Sequence, residues 1–152
     1  IVAGADALVG PVRKTGLAHV GGNLAPQLSW HGAPAGTKSY AITVYDPDAP
    51  TGSGWWHWSV FNIPTSTTSL AAGTTTSTLP TGAVQGRNDY GDSAYGGACP
   101  PPGDQPHRYQ LTVWALSVDK LPLDQHTSGA MLGYMLNANA LGKAQLTGLY
   151  GR

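Results

Sequence analysis

Cysteine occurs once, at Cys99. That excludes an intrachain disulfide and a thiolate metal cluster, and it suits a reducing compartment, although exported proteins also do without disulfides. Charge is scarce too: 11% of residues, with eight basic side chains cancelling eight acidic ones. Nucleic-acid binders draw most of their affinity from a basic surface that neutralises phosphates. Here the one close basic pair is Arg13-Lys14, which reads as solvated surface. Nucleic acid and acidic membrane surfaces are therefore disfavoured partners. No apolar run approaches the roughly 20 residues of a membrane span. An initiating Met is also missing: the chain starts Ile1-Val2, so a segment has been removed, a leader among the candidates. The expected location is cytoplasmic, with periplasmic or secreted as the alternative.

What is plentiful points to a packed, turn-rich globule. Hydrophobic residues make up 41%, and there are 21 glycines and 12 prolines, a balance opposite to that of disordered chains and poor in long helices. At 152 residues the chain fits one domain, 1–152, with no internal repeat and no linker between composition regimes.

Three segments read as strands. Ser39 to Tyr45 is dense in β-branched and aromatic residues and stops at Asp46-Pro47; Trp56 to Ile63 is closed by Pro64. In the third, His107 to Val118, Leu111, Val113 and Ala115 alternate with Thr112, Trp114 and Leu116, which predicts cover on both faces. Residues 1–37 show little periodicity, 65–82 read as a surface connection, and 88–106 carry loop chemistry. Thr127 or Ser128 could cap a C-terminal helix bearing Met131, Leu132, Met135 and Leu136 at helical spacing. The fold class is thus mainly β with minor α.

Two loops carry the chemistry. Asp46-Pro47-Asp48-Ala49-Pro50 leads through a glycine loop to Trp55-Trp56-His57-Trp58, and Tyr95-Gly96-Gly97-Ala98-Cys99-Pro100-Pro101 leads to His107-Arg108-Tyr109. Each sets a histidine near the start of a strand after a rigid or glycine-rich loop, where imidazole, backbone N–H groups and tyrosine hydroxyls can form a small anion site. An acidic pair beside such a site makes sense if a carboxylate orients His57 and raises its pKa. Alternation along the strand predicts Trp56 and Trp58 on one face and His57 on the other, with at least one Trp in the core and Trp55 at the rim. The plainer reading is that Asp-Pro is a turn-former and a strand-end His a structural hydrogen-bonder. Either segment alone favours it; the two together favour a site.

These segments, with Leu24 to Trp30, Pro34 to Ser39 and Gln85 to Gly91, resemble the phosphatidylethanolamine-binding protein family and its bacterial Raf-kinase-inhibitor-like branch, from about Gly22 to the C-terminus. Several spaced motifs in the right order are a specific signal. The resemblance implies an antiparallel β-sandwich with a pocket for phosphate, acetate or a phosphorylated headgroup. By motif, Asp46, Asp48, His57, His107 and Tyr109 should line it. Cys99 would fall where a backbone N–H meets the anion, with Pro50, Gly97, Pro100 and Pro101 shaping the wall and Ala49-Pro50 a candidate cis bond. It further implies a protein partner or a homodimer, and no cofactor. Two departures, less chain before Gly22-Asn23 and no clear match to the pocket-closing C-terminal helix of animal relatives, favour an open pocket.

Enzyme readings are weaker. Ile1-Val2-Ala3-Gly4 and Gly91-Asp92-Ser93 resemble serine-protease motifs, but Ala94-Tyr95 follows Ser93 where an oxyanion-hole glycine is wanted. His57, His107 and Asp46 or Asp48 could hold a metal for a hydrolase, without any tight His spacing to support it. Asp46 and Asp48 are too close in sequence to flank a glycosidic bond. Cys99 could be a redox sensor or merely a small loop residue. The sequence therefore points to a binding or regulatory protein with no catalytic residue, and a hydrolase using the same pocket is the alternative.

Overall fold

A computed structural model describes residues 1–5 and 23–152; the Arg13-Lys14 pair lies outside them. The strands are β1 (Val2–Ala5), β2 (Leu28–His31), β3 (Ser39–Asp46), β4 (Trp55–Pro64), β5 (Ser69–Leu70), β6 (Val84–Gln85), β7 (His107–Leu116) and β8 (Ala140–Tyr150), with one helix, α1 (Gly129–Asn139). Two sheets form, in the orders β1-β2-β5 and β6-β4-β3-β7-β8, and every strand pair is antiparallel. Among the described residues the structure is mainly β with one α-helix, as the composition predicts.

The core lies between the sheets. Leu28 and Trp30 of β2 meet Ile42 and Val44 of β3, Trp58 and Val60 of β4, and Leu111, Val113 and Ala115 of β7. The far face of the larger sheet carries Ala41, Phe61, Trp114 and Leu116, which pack under Leu132 and Leu136 of α1. The alternation read in β7 is therefore real on both faces. Burying an apolar side chain of this size stabilises by about 1.5–3 kcal/mol, so β3, β4 and β7 carry most of the apolar driving force.

Helix α1 starts where expected: the Ser128 hydroxyl accepts from Met131 N at 3.2 Å, satisfying an otherwise unpaired donor. Its inner face is Gly129, Leu132 and Leu136, while Met131 turns to solvent. Gly129 is required by close approach, because a Cβ there would strike the Trp56 ring. The helix ends at Asn139 and the chain returns as β8, eleven residues paired along β7, a strand the sequence reading missed. Small residues (Gly142, Ala144, Gly148) on its inner-facing positions hide the period-two signal. β1, β2 and the short β5 also lie in stretches read as irregular, and β6 falls between two of them.

Two further expectations are corrected. Every described peptide bond is trans, Ala49-Pro50 included; the turn after β3 is closed instead by Asp48 N donating to Asp46 Oδ1 at 2.8 Å. Nor do Trp56 and Trp58 share a face. Val44 pairs with Trp58 and Tyr45 with Trp56, so His57 is the extra residue of a β-bulge, which re-aims side chains. Trp58 enters the intersheet core; Trp56 packs against Tyr45 at 4.4 Å between ring centres and beneath α1.

Candidate functional site

At one end of the intersheet layer lies a cavity of about 290 Å³ lined by the end of β3 (Asp46), the following loop (Ala49, Pro50, Thr51), the start of β4 (Trp55, His57), the connection before β7 (Tyr90, Cys99, Pro100, Pro101) and the start of β7 (His107, Tyr109). It is small beside the usual pockets for drug-sized molecules. Eight of the ten residues singled out from sequence line it: Asp46, Pro50, His57, Cys99, Pro100, Pro101, His107 and Tyr109. Asp48 and Gly97 do not. Ala49, Thr51 and Tyr90 were not singled out, although Ala49 and Tyr90 stand inside the matched motifs; Trp55 sits at the wall as expected.

The bulge and the glycine loop hold His57 jointly. Gly96 N donates to the His57 carbonyl at 2.8 Å, and His57 Nδ1 donates to the Gly96 carbonyl at 2.8 Å. A carbonyl only accepts, so the proton of the neutral ring sits on Nδ1 and Nε2 is the nitrogen left for a ligand. Gly96 has no room for a side chain because the Tyr90 ring lies against its Cα, and the Tyr90 hydroxyl donates to the Gly97 carbonyl at 3.0 Å. Gly97 N donates to Asn23 Oδ1 at 2.8 Å, so Gly97 shapes the wall from behind. Buried Asn88 knits this loop, donating to the Ala94 carbonyl and accepting from Asp92 N.

The carboxylates act differently from the expectation. Asp46 orients His107, not His57: His107 Nδ1 lies 2.7 Å from Asp46 Oδ2, and its Nε2 lies 2.9 Å from Asp104 Oδ2. Burial alone would depress the His107 pKa, but hydrogen bonds to the two carboxylates outweigh it and hold the pKa above the ordinary value. For His57 burial dominates, and the carbonyl and Asp46 contributions do not compensate, so its pKa falls. The expectation of a carboxylate-raised His57 is therefore overturned. Asp48 faces away and takes a bidentate pair from Arg108 Nε and Nη2 at 2.9 and 2.8 Å, plus Arg108 N at 2.9 Å. Those bonds hold its pKa at about 2.

Tyr109 completes the wall, its ring 5.2 Å from that of His57 and 6.4 Å from that of His107. Its hydroxyl is buried and has no protein partner, as is Trp55 Nε1. Burial, helped by the Asp46 charge, pushes the Tyr109 pKa well up and keeps the hydroxyl a neutral donor. The Ser93 hydroxyl donates to the Gln125 carbonyl at 2.6 Å, and Ser93 does not line the cavity.

A two-sheet antiparallel fold with a small His-, Tyr- and Pro-lined cavity at one end defines a class: the chain belongs to the phosphatidylethanolamine-binding protein family, whose model matches residues 6–151. Among individual proteins it is similar to YbcL of Escherichia coli K12, 62% identical over 133 residues, covering 86% of this chain and 73% of the relative. YbhB of the same organism is 44% identical over 137 residues, 89% of this chain and 86% of its own. The crystal structure of E. coli YbcL, described as a new member of the mammalian family, superposes with a TM-score of 0.96 over 99% of this chain and 98% of that one, at 50% identity. Among the described residues no helix is long and apolar enough to cross a membrane.

Proposed function

We propose that the cavity binds a small oxyanion, a phosphate, a carboxylate or the phosphoryl group of a headgroup, and that the chain is a binding or regulatory protein rather than an enzyme. The carrying observation is the Tyr109 hydroxyl, buried at the cavity wall without a protein partner. A buried donor left unpaired costs about 1–3 kcal/mol, and an acceptor-rich ligand recovers that cost. Trp55 Nε1, also unpaired, and His57 Nε2 add a second donor and a protonatable group in a space sized for a headgroup. Occupancy of the cavity is the means by which a protein partner would be regulated, and the homodimer implied by bacterial relatives is part of the same proposal, to be read by sedimentation velocity.

The geometry argues against a hydrolase. His107 spends both ring nitrogens on carboxylates and keeps no lone pair for a metal. His57 is braced by a carbonyl, not by the carboxylate that stabilises the imidazolium of a general base. Titration with phosphate and acetate, followed by the NMR shifts of both histidines, tests the proposal. Saturable movement of His57 supports it; no binding of either anion, or turnover of a phosphoester, would overturn it.

A further inference from the structure

His107 stands between two depressions. One is the cavity; the other is a shallow cleft lined by Asp48, Asp104, Gln105, Pro106, His107, Arg108 and Leu149. Across it runs a row of three groups: Asp46, its side chain 3% exposed, then His107 at 4%, then Asp104 at 38%. Asp46 borders the cavity, while Asp104 does not. The Asp48–Arg108 pair beside the row is self-neutralising. The other ionisable groups at the cavity, His57, Tyr90, Cys99 and Tyr109, add no fixed positive charge while His57 is neutral.

We infer that Asp104, though outside the cavity, determines which anions it accepts: by placing a second carboxylate on His107 it leaves the Asp46–His107–Asp104 row with a net negative charge, so singly charged oxyanions are favoured over doubly charged ones. The arithmetic is two carboxylates and one imidazolium, and the raised His107 pKa agrees with that assignment. With Asp46 alone the row would be neutral. The extra charge sits one imidazole width behind the wall and inside a Debye length, so salt weakens it without removing it; its bond to buried His107 couples it to the cavity, whereas the Asp48 charge is neutralised by Arg108. The ligand class that follows is a carboxylate or a phosphodiester, and a phosphomonoester dianion is discriminated against. Asp104 is a positioning and specificity residue here; it touches no ligand. The inference rests on the anion-pocket reading proposed above.

The test compares dimethyl phosphate, a monoanion, with methyl phosphate, mostly a dianion at pH 7 because the second phosphate pKa is about 6. Both bind at the same phosphorus chemistry and differ in charge. Asp104→Asn should tighten dimethyl phosphate about threefold and methyl phosphate about tenfold, because the electrostatic term scales with ligand charge. NMR of the His107 ring reports whether it keeps its proton in each protein, and Asp104→Ser, which removes the charge with a different side chain, must move the ratio of affinities the same way. Equal changes for both probes, or none, in proteins that bind them with His107 protonated would overturn the inference alone. Failure of the wild-type protein to bind either probe, or acetate, would overturn the anion-pocket reading and this inference with it.

Discussion

Asp46 Oδ2 accepts from His107 Nδ1 at 2.7 Å, joining the last residue of β3 to the first of β7 across 61 positions of sequence. Both are buried, so the contact is at once a structural clasp and the charged backing of the cavity. Removing one partner of a buried pair strands the other, which costs more than the pair itself contributes.

Asp46→Asn should destabilise the protein by about 2 kcal/mol at pH 6, less than a fully stranded charge would cost, because Asp104 still accepts from His107 Nε2. Because the folded His107 pKa is raised, the pair's contribution is full below the unfolded value of about 6.5 and fades as pH rises through the folded value. Urea denaturation of both proteins at pH 6 and pH 9 should show the difference narrowing at pH 9. A constant difference would refute the imidazolium assignment.

His57 has the opposite sign. Its folded pKa is depressed by burial, so the stability gained by burying it neutral is present above about pH 6.5 and is lost as pH falls through the folded value. His57→Phe should flatten this acid-side loss. An anion in the cavity favours the imidazolium, so binding takes up a proton, and affinity for dimethyl phosphate should climb as pH drops from 8 to 5. Calorimetry in buffers of differing ionisation heat counts that proton; a flat profile with no proton uptake rules the mechanism out.

Tyr109→Phe separates stability from function. Deleting a buried hydroxyl with no protein partner should leave the free protein equally stable or stabilise it by about 1 kcal/mol. Anion affinity should meanwhile fall roughly tenfold, the loss of about one hydrogen bond to a charged group. Denaturation and titration of the same sample read both quantities, and unchanged affinity would remove Tyr109 from the site.

Asp48 is a control. Its carboxylate is engaged by Arg108, whose side chain is 54% exposed, and it does not line the cavity. Asp48→Asn should leave anion affinity within about twofold, as expected for a screened surface pair. A tenfold loss would return Asp48 to the ligand.

Gly129→Ala tests how α1 seats. The added methyl meets the Trp56 ring, and overpacking of this kind costs about 1–3 kcal/mol. A lower melting temperature with altered Trp fluorescence is the expected result.

The sequence by itself determined the class and much of the site. Runs of β-branched and aromatic residues ended by Asp46-Pro47 and Pro64, and the two-faced alternation of His107 to Leu116, are local signals that dictate strands wherever they fold. The Asp-Pro and Gly-Gly-x-Cys-Pro-Pro loops, with the starts of β4 and β7 that they lead to, delivered eight of the ten chosen residues to the cavity, because rigid loops at strand ends tend to converge at one edge of a sandwich. β8 escaped because glycine and alanine occupy three of its five inner positions (Gly142, Ala144 and Gly148) and its partner strand supplies the order. Only the tertiary structure decided which acid meets which base. The bulge at His57 turns that ring toward Gly96 and Tyr109, while antiparallel pairing of β3 with β7 brings Asp46 to His107. Register and bulges depend on long-range hydrogen bonding and packing, which spacing along the chain does not encode, so the carboxylate partner and raised pKa expected of His57 belong to His107 instead.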